Sequence, residues 1–243
     1  MTITSTHNEK LKEIRRLARR RERDAGGRFV AEGEDLVAAA ASAGWRPVHL
    51  LVAAGCGLHG EEVEAELLHR VSGLGSGTRQ LGVYEARWSV PTGPLCVALW
   101  GVADPGNVGT ILRSARAFGA ASVVLGPGCA DPFGPKAVRA SMGALFEVPV
   151  ARVASVDELI GERIALVAGE GRVLAGRAPR ETTLVVGAER SGLPADVVAA
   201  CDRVAHIPIR SHSLNAAMAA TVALYELTRL QAPDLVRPRM APA

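Results

Sequence analysis

PLCVALWGVADPGNVGTILRSARAFGAASVVLG, residues 94–126, is the stretch that decides the fold. PLCVALW is an unbroken apolar run of strand length, and ASVVLG is another. Between them Asp104 supplies an N-cap, Pro105 the first helical position, and Val108, Ile111, Leu112 and Ala115 a stripe at helical spacing. Strand, helix and strand in that order predict a parallel pair joined by a crossover helix. The alternation continues with a helix near Lys136 to Leu145, the strands FEVPV, RIALVAG, TLVVGAE and RVAHIPI, and a last long helix from Ser213. Strands apolar along their whole length are covered on both faces, so the prediction is an α/β fold with a mostly parallel sheet flanked by helices.

Ahead of this part, RFVAEG reads as a strand, EDLVAAAASAG as a helix ending at Gly44, PVHLLVAA as a strand and EEVEAELLHRV as a helix. They predict a smaller α/β domain. The two prolines and glycine of PTGPLC (91–96) set the boundary, giving domains 1–92 and 93–243. GLGSGT (73–78) matches neither the phosphate-loop nor the dinucleotide fingerprint and reads as a turn, and the Pro-rich end APDLVRPRMAPA reads as frayed.

Composition narrows the function classes. With 48% hydrophobic and 22% charged residues, the chain is ordinary globular material. No apolar run reaches the length of a membrane span and MTITSTHNEKLKEIRR has no apolar signal core, which predicts a soluble, cytoplasmic protein with no membrane partner. Cys56, Cys96, Cys129 and Cys201 stand far apart without a C-x-x-C pair, so neither a disulfide framework nor a metal site is expected. The net charge of +3 is small, but it is unevenly placed. In KLKEIRRLARRRER, Leu11, Ile14, Leu17 and Ala18 form an apolar stripe while Lys12, Arg15, Arg16, Arg19, Arg20 and Arg23 crowd the other faces. Like charges at i,i+4, as in Arg15 with Arg19, repel, and an anionic partner would relieve them through contacts such as those to phosphate. A solvated helix whose arginines pair with Glu13 and Glu22 is the other reading.

Ligands of such sheets bind where strands end, so the strand exits carry the functional reading. After LCVALW, Gly106 and Gly109 weaken the first helical turn, which predicts close approach of another group, and an open helix N-terminus suits an anion. Arg113 and Arg116 share a face of that helix, either as surface arginines or as contacts to a bound anion. After TLVVG, Glu189 opens the tight polar loop AERSGLP. Ser191 is no hydrolase nucleophile, because Glu189 and Leu193 occupy the positions where G-x-S-x-G needs glycine. In HIPIRSHSLN, Pro208 restricts the backbone and Ser213 is placed to cap the last helix, to line a site, or both.

Together, Asn107 with Arg113 in DPGNVGTILRSARAFGA, then VVGAERSGLP, then IPIRSHSLNAAMAATVALYE, resemble in order and spacing the three motifs of the SpoU or TrmH family of RNA ribose 2′-O-methyltransferases. The resemblance covers about residues 95–232, and GGRFVAEGEDLVAAA is similar to the substrate-binding domain that many members carry. The loop from Ile207 to Ser213 is shorter than the glycine-containing version of many relatives. The resemblance implies a deep trefoil knot, a bent S-adenosylmethionine held by Ala168, Gly169, the loop Gly187 to Gly192 with Glu189, and Ile207 with Leu214, and no metal. It places Arg113 beside the ribose and makes Asn107, Glu189, Ser213 and Asn215 the supporting polar set. It also implies a homodimer through the C-terminal domain, acting on RNA, ribosomal rather than transfer RNA; with that partner, the helix arginines Arg15, Arg16, Arg19 and Arg20, together with Arg113 and Arg116, are the expected RNA contacts.

The chemistry constrains these roles. Methyl transfer to a hydroxyl is an in-line displacement, so two molecules must be aligned and a proton removed. Arginine stays protonated to about pH 12, so Arg113 either works with an RNA phosphate nearby or holds that phosphate and stabilises the developing alkoxide. His206 and His212 are near enough in sequence to serve as bases, although histidines at strand ends are commonly structural. A non-catalytic RNA-binding protein retaining this fold is the rival reading; the intact polar set argues against it.

Overall fold

The computed structural model describes residues 2–73, 77–176, 178 and 181–228. Part of the GLGSGT turn, Arg229 and the Pro-rich end therefore lie outside the described residues. The first unit runs α1 (Glu9–Leu17), α2 (Arg20–Gly26), β1 (Arg28–Glu32), α3 (Glu34–Ser42), β2 (His49–Ala53), β3 (Glu61–Val63), α4 (Ala65–Val71) and β4 (Gln80–Glu85). Its sheet has the order β1-β4-β2-β3, with β4 antiparallel to both neighbours and β2 parallel to β3. The helix expected over EEVEAELLHRV starts only at Ala65, because Glu61 to Val63 pair with β2 and Val63 also bridges Ile3.

The basic segment departs from the expected single helix. It breaks at Ala18 and Arg19, where Arg19 is extended (φ −94°, ψ 132°). The cause is Arg23, which is 8% exposed and donates Nη1 to the carbonyls of Leu17 (2.7 Å) and Ala18 (3.0 Å), groups left open at a helix end. Its Nε and Nη2 both reach Asp131 Oδ2 at 2.7 Å, and Asp131 Oδ1 accepts from Phe133 N at 2.9 Å. Arg23 is thus a buried structural group rather than one of a basic surface, and Ala18 is exposed rather than part of the apolar stripe. The break also removes the i,i+4 repulsion expected between Arg15 and Arg19. Glu13 pairs with Arg28 and His49 instead of the helix arginines, and among the described residues Arg15, Arg16 and Arg19 form no ion pair.

The second unit runs β5 (Leu95–Leu99), α5 (Pro105–Ala117), β6 (Ser122–Leu125), α6 (Pro135–Ala140), β7 (Val150–Arg152), β8 (Glu162–Leu166), β9 (Arg172–Val173), β10 (Thr182–Val186), α7 (Ala195–Ala199), β11 (Arg203–His206) and α8 (Ala216–Thr228). The sheet order is β7-β6-β5-β10-β8-β11-β9, and every pair is parallel, as the apolar strands predict. The helix expected to reach Leu145 ends at Ala140. Met142 and Gly143 take left-handed backbone (φ 48° and 87°), and a short 3-10 turn, Ala144–Phe146, follows.

One apolar core crosses the change of sheet. Phe29, Trp45 and Tyr84 from the first unit pack with Phe133 and Phe146 from the second, with Phe29 and Phe133 ring centres 5.0 Å apart. The Trp45 indole N–H donates to the Phe146 carbonyl at 2.8 Å, so its buried polar atom is satisfied. The two sheets are therefore locked through side chains as well as through the connecting chain.

Candidate functional site

Adjacent parallel strands exit at the same end of a sheet, which is why loops far apart in sequence meet here. β10 lies between β5 and β8, and β11 lies on the far side of β8. The loop after β5 therefore stands beside the loop after β10, and the loops after β8 and β11 close the other side. A cavity of about 330 Å³ opens among the β8, β10 and β11 exits, within the size range of small-molecule sites.

The loop after β10 is a tight hairpin. Ala188 and Gly192 exchange backbone hydrogen bonds of 3.1 and 3.0 Å, with Gly192 left-handed at φ 68°. The chain crosses back against Gly187, where a Cβ would stand 2.5 Å from Leu193 N, so only glycine fits. This hairpin presents the Glu189 carboxylate, which accepts from the Asn107 side-chain amide.

Asn107 is held from below by its own helix. Asp104 accepts from Gly106 N at 3.1 Å as N-cap and Pro105 begins α5, as the sequence predicts. The anion expected at this N-terminus is the chain's own Asp104, whose carboxylate sits 2.6 Å from Lys136 Nζ. That amine and the Gly106 amide hold the Asp104 carboxyl below the usual range. Gly109 likewise answers to packing rather than to a ligand, since a Cβ there would press on the Ala140 methyl (2.6 Å) and on backbone of α6.

The third partner is Asn215. Its Nδ2 donates to Asn107 Oδ1 at 3.1 Å, while its Oδ1 accepts from Ala217 N (2.9 Å) and Met218 N (3.2 Å). Asn215, not Ser213, is thus the N-cap of the last helix, which begins at Ala216 rather than at Ser213. Ser213 is exposed and lines the cavity. Glu189, Asn107 and Asn215 form one hydrogen-bonded series that ties the β10 hairpin, the first turn of α5 and the start of α8 together. Ser114 Oγ and Thr221 Oγ1, 2.6 Å apart, join α5 to α8 again further along.

Most of the residues singled out for a cofactor meet around this cavity. Ala168, Gly187, Glu189, Gly192, Ile207 and Leu214 all line it. Gly169 does not; it occupies the adjacent turn with φ 72°. Sequence reasoning missed Leu166, Val186 and Ile209, whose signal was only that apolar strands β8, β10 and β11 end there. Arg113 is exposed on α5 and is not part of the cavity wall. Arg116 is held by Glu147 through Nε (2.8 Å) and Nη2 (2.7 Å). His212 lines the cavity, whereas His206 Nδ1 lies 3.0 Å from the Glu170 carbonyl and has a structural partner. Among the described residues no group of His, Cys, Asp and Glu is arranged to hold a metal, and no helix is long and apolar enough to cross a membrane.

Residues 94–225 match the SpoU rRNA Methylase family, and residues 8–79 match the MRM3-like substrate binding domain. The chain is 29% identical to the 23S rRNA (guanosine(2553)-2′-O)-methyltransferase RlmP of Bacillus subtilis strain 168, over 93% of this chain and 98% of that protein. Among solved structures it is similar to an AdoMet-bound rRNA methyltransferase from Sinorhizobium meliloti, with TM-score 0.85 and 30% identity over 95% of this chain and 98% of that one. It is also similar to the SpoU methyltransferase AviRb from Streptomyces viridochromogenes in complex with AdoMet, with TM-score 0.82 and 27% identity over 93% of this chain and 98% of that one.

Proposed function

The chain belongs to the SpoU rRNA methylase family, and from that membership we propose that it methylates the 2′-oxygen of a ribose in ribosomal RNA with S-adenosylmethionine as donor, transfer RNA being the second choice of substrate. The observation that carries this reading is the series Glu189–Asn107–Asn215, which ties the first turn of α5 to the β10 hairpin and the start of α8 beside a ligand-sized cavity at the strand exits.

The cavity suits that donor. Apolar Leu166, Val186, Ile207, Ile209 and Leu214 offer a dry surface for a purine ring, and the Glu189 carboxylate supplies negative charge toward a sulfonium. When bound, S-adenosylmethionine supplies an electrophilic methyl carbon. The residues of this chain align the ribose hydroxyl, exclude water and manage its proton. Arg113 is proposed to hold the phosphate next to the target ribose and to stabilise negative charge as it develops on the 2′-oxygen. Ser213 and Asn215 line the approach to that oxygen, and Asn107 and Glu189 hold the loops in register. Gly187→Ala is expected to prise open the hairpin and weaken S-adenosylmethionine binding about 100-fold, roughly 2.7 kcal/mol. Calorimetric titration checks this, and unchanged affinity would remove the hairpin from the donor site.

The domain roles follow the same reading: residues 1–92 are proposed to select the RNA and residues 93–243 to carry the chemistry, a division supported by the family matches over 8–79 and 94–225, and the cytoplasm is the proposed compartment. The insertion of β10 between β5 and β8, with β11 beyond β8, supports the trefoil-knotted path implied by the family. Arg15, Arg16, Arg19 and Arg20 are proposed as phosphate contacts from the first unit. A homodimer through α8 is supported by Met218, Val222 and Tyr225, which recur on one face and are 63%, 41% and 53% exposed. Met218→Asp with Tyr225→Asp is expected to turn a dimer into a monomer in light scattering and to abolish methyl transfer. A wild-type monomer at micromolar concentration would contradict the dimer.

The direct test is transfer of labelled methyl from S-adenosylmethionine to ribosomal RNA purified from cells lacking this protein. Incorporation supports the reading; donor binding without incorporation into ribosomal or transfer RNA moves the assignment to a non-catalytic RNA-binding protein.

A further inference from the structure

A second, smaller pocket of about 160 Å³ lies away from the proposed donor site, at the ends of β6 and β7, with the backbone from Gly126 to Ala130 as its wall. Two arginines from different units line it: Arg20 from α2 and Arg152 from the last position of β7. Arg20 has Asp24 at 3.5 Å as its acidic neighbour and a long 3.5 Å bond to the Cys129 carbonyl. Asp131, the acid of this loop, is already taken by Arg23. Among the described residues Arg152 forms no ion pair and instead lies over the Trp88 ring, 4.2 Å from its centre.

Trp88 is unusual in being a 41% exposed indole held rigidly in place. Its ring meets buried Phe133 edge-on at 5.0 Å, and the next residue, Ser89, donates its N–H to the Val150 carbonyl at 2.8 Å and bridges Ala151. A guanidinium carbon held this close over an indole is restrained by the cation–π contact and keeps N–H donors for a partner. The pocket wall is also coupled to the catalytic end of the sheet. Gly101 N donates to the Pro127 carbonyl at 3.0 Å and Ala130 N to the Val102 carbonyl at 2.9 Å, and residues 101 and 102 lead into α5.

We propose that this pocket is an accessory RNA-binding site, which takes a single-stranded nucleotide of the substrate with its phosphate between Arg20 and Arg152 and its base against the Arg152 and Trp88 stack. Charge selects a phosphate, and the planar stack selects an unpaired base, the form in which RNA is read by side chains. The occupant's identity rests on the RNA-methylating reading above. Because the wall is bonded to the segment entering α5, RNA seated here is held on the surface that leads to Arg113.

The test measures retention of labelled 23S ribosomal RNA by the full chain on filters across a salt series, without methyl donor. Arg20→Ala with Arg152→Ala is expected to weaken binding about 30-fold and to make log K less steep in log salt by about 0.7 for each phosphate no longer neutralised. Trp88→Ala is expected to weaken binding about 5-fold with the salt slope unchanged, and Arg152→Lys to keep the slope without recovering full affinity. All these side chains are at least partly exposed, and an unchanged urea midpoint together with unchanged S-adenosylmethionine binding establishes that each variant is folded. Wild-type affinity and slope in the double variant would overturn the site. A wild type that binds this RNA but never methylates it would overturn the proposed reaction, while weaker binding by the double variant would still support the pocket.

Discussion

Arg113→Ala is expected to lower methyl transfer to ribosomal RNA by about 10²–10³-fold, the cost of removing one group that stabilises a developing oxyanion. The loss should appear in kcat, because the interaction proposed for Arg113 strengthens as the 2′-oxygen gains charge. Donor affinity should not change, since Arg113 is no part of the wall of the cavity proposed for S-adenosylmethionine. Arg113→Lys separates two roles for the side chain. A lysine retains the charge but not the planar fork, so partial activity points to charge stabilisation and near-normal activity would refute a need for the guanidinium. Arg116→Ala is the control: its guanidinium is already held by Glu147, and its effect on turnover should be small.

Asp131→Ala is expected to destabilise the fold by about 3–5 kcal/mol, because it leaves the Arg23 guanidinium buried without its counter-charge. The two side chains are 8% and 7% exposed, so solvent screens them little. The same substitution removes the acceptor for Phe133 N and loosens the loop that holds Phe133 against Phe29. Arg23→Met with Asp131→Leu should recover part of the stability, since no charge is then left buried alone, while the Leu17 and Ala18 carbonyls and the Phe133 amide still lose their partners. Urea denaturation followed by circular dichroism reads the difference; a shift under about 1 kcal/mol for Asp131→Ala would show that the pair does not clamp the two units.

The strand order can be anticipated only in part from the sequence, and the reasons are local. Apolar runs such as LCVAL and TLVV announce buried parallel strands because nothing along them is polar enough to face water. QLGVYE is harder: β4 contains Gly82 and is bounded by polar residues, so its place between β1 and β2 emerges only from pairing. Helix boundaries depart from periodicity where a tertiary contact overrules it. Arg23 ends α1 by gathering its last carbonyls, and Val63 leaves the helical pattern to pair with β2.

The site is more legible than the fold, because its polar residues sit at a strand exit and at helix starts where core packing gives no reason for them. Asn107 and Glu189, far apart in the chain, stand out for that reason and do bond to each other. The roles within the set are less legible. Ser213 and Asn215 are both good caps, and only the bonds to Ala217 and Met218 decide for Asn215. Gly109 reads in the sequence as making room for a ligand, yet α6 fills that room. Trp88 and Arg152 give no signal at all, since neither lies in a motif and their stacking depends on the edge of β7 meeting the segment that links the two sheets.

The measurement that bears most directly on the central claim is the chemical position of the transferred methyl. Ribosomal RNA labelled by the wild-type protein would be hydrolysed with alkali, which needs a free 2′-hydroxyl to cleave the adjacent phosphodiester. A ribose 2′-O-methyltransferase predicts that all the label remains in one alkali-resistant dinucleotide, absent when Arg113→Ala protein is used. Label released in mononucleotides would place the methyl on a base and contradict the account.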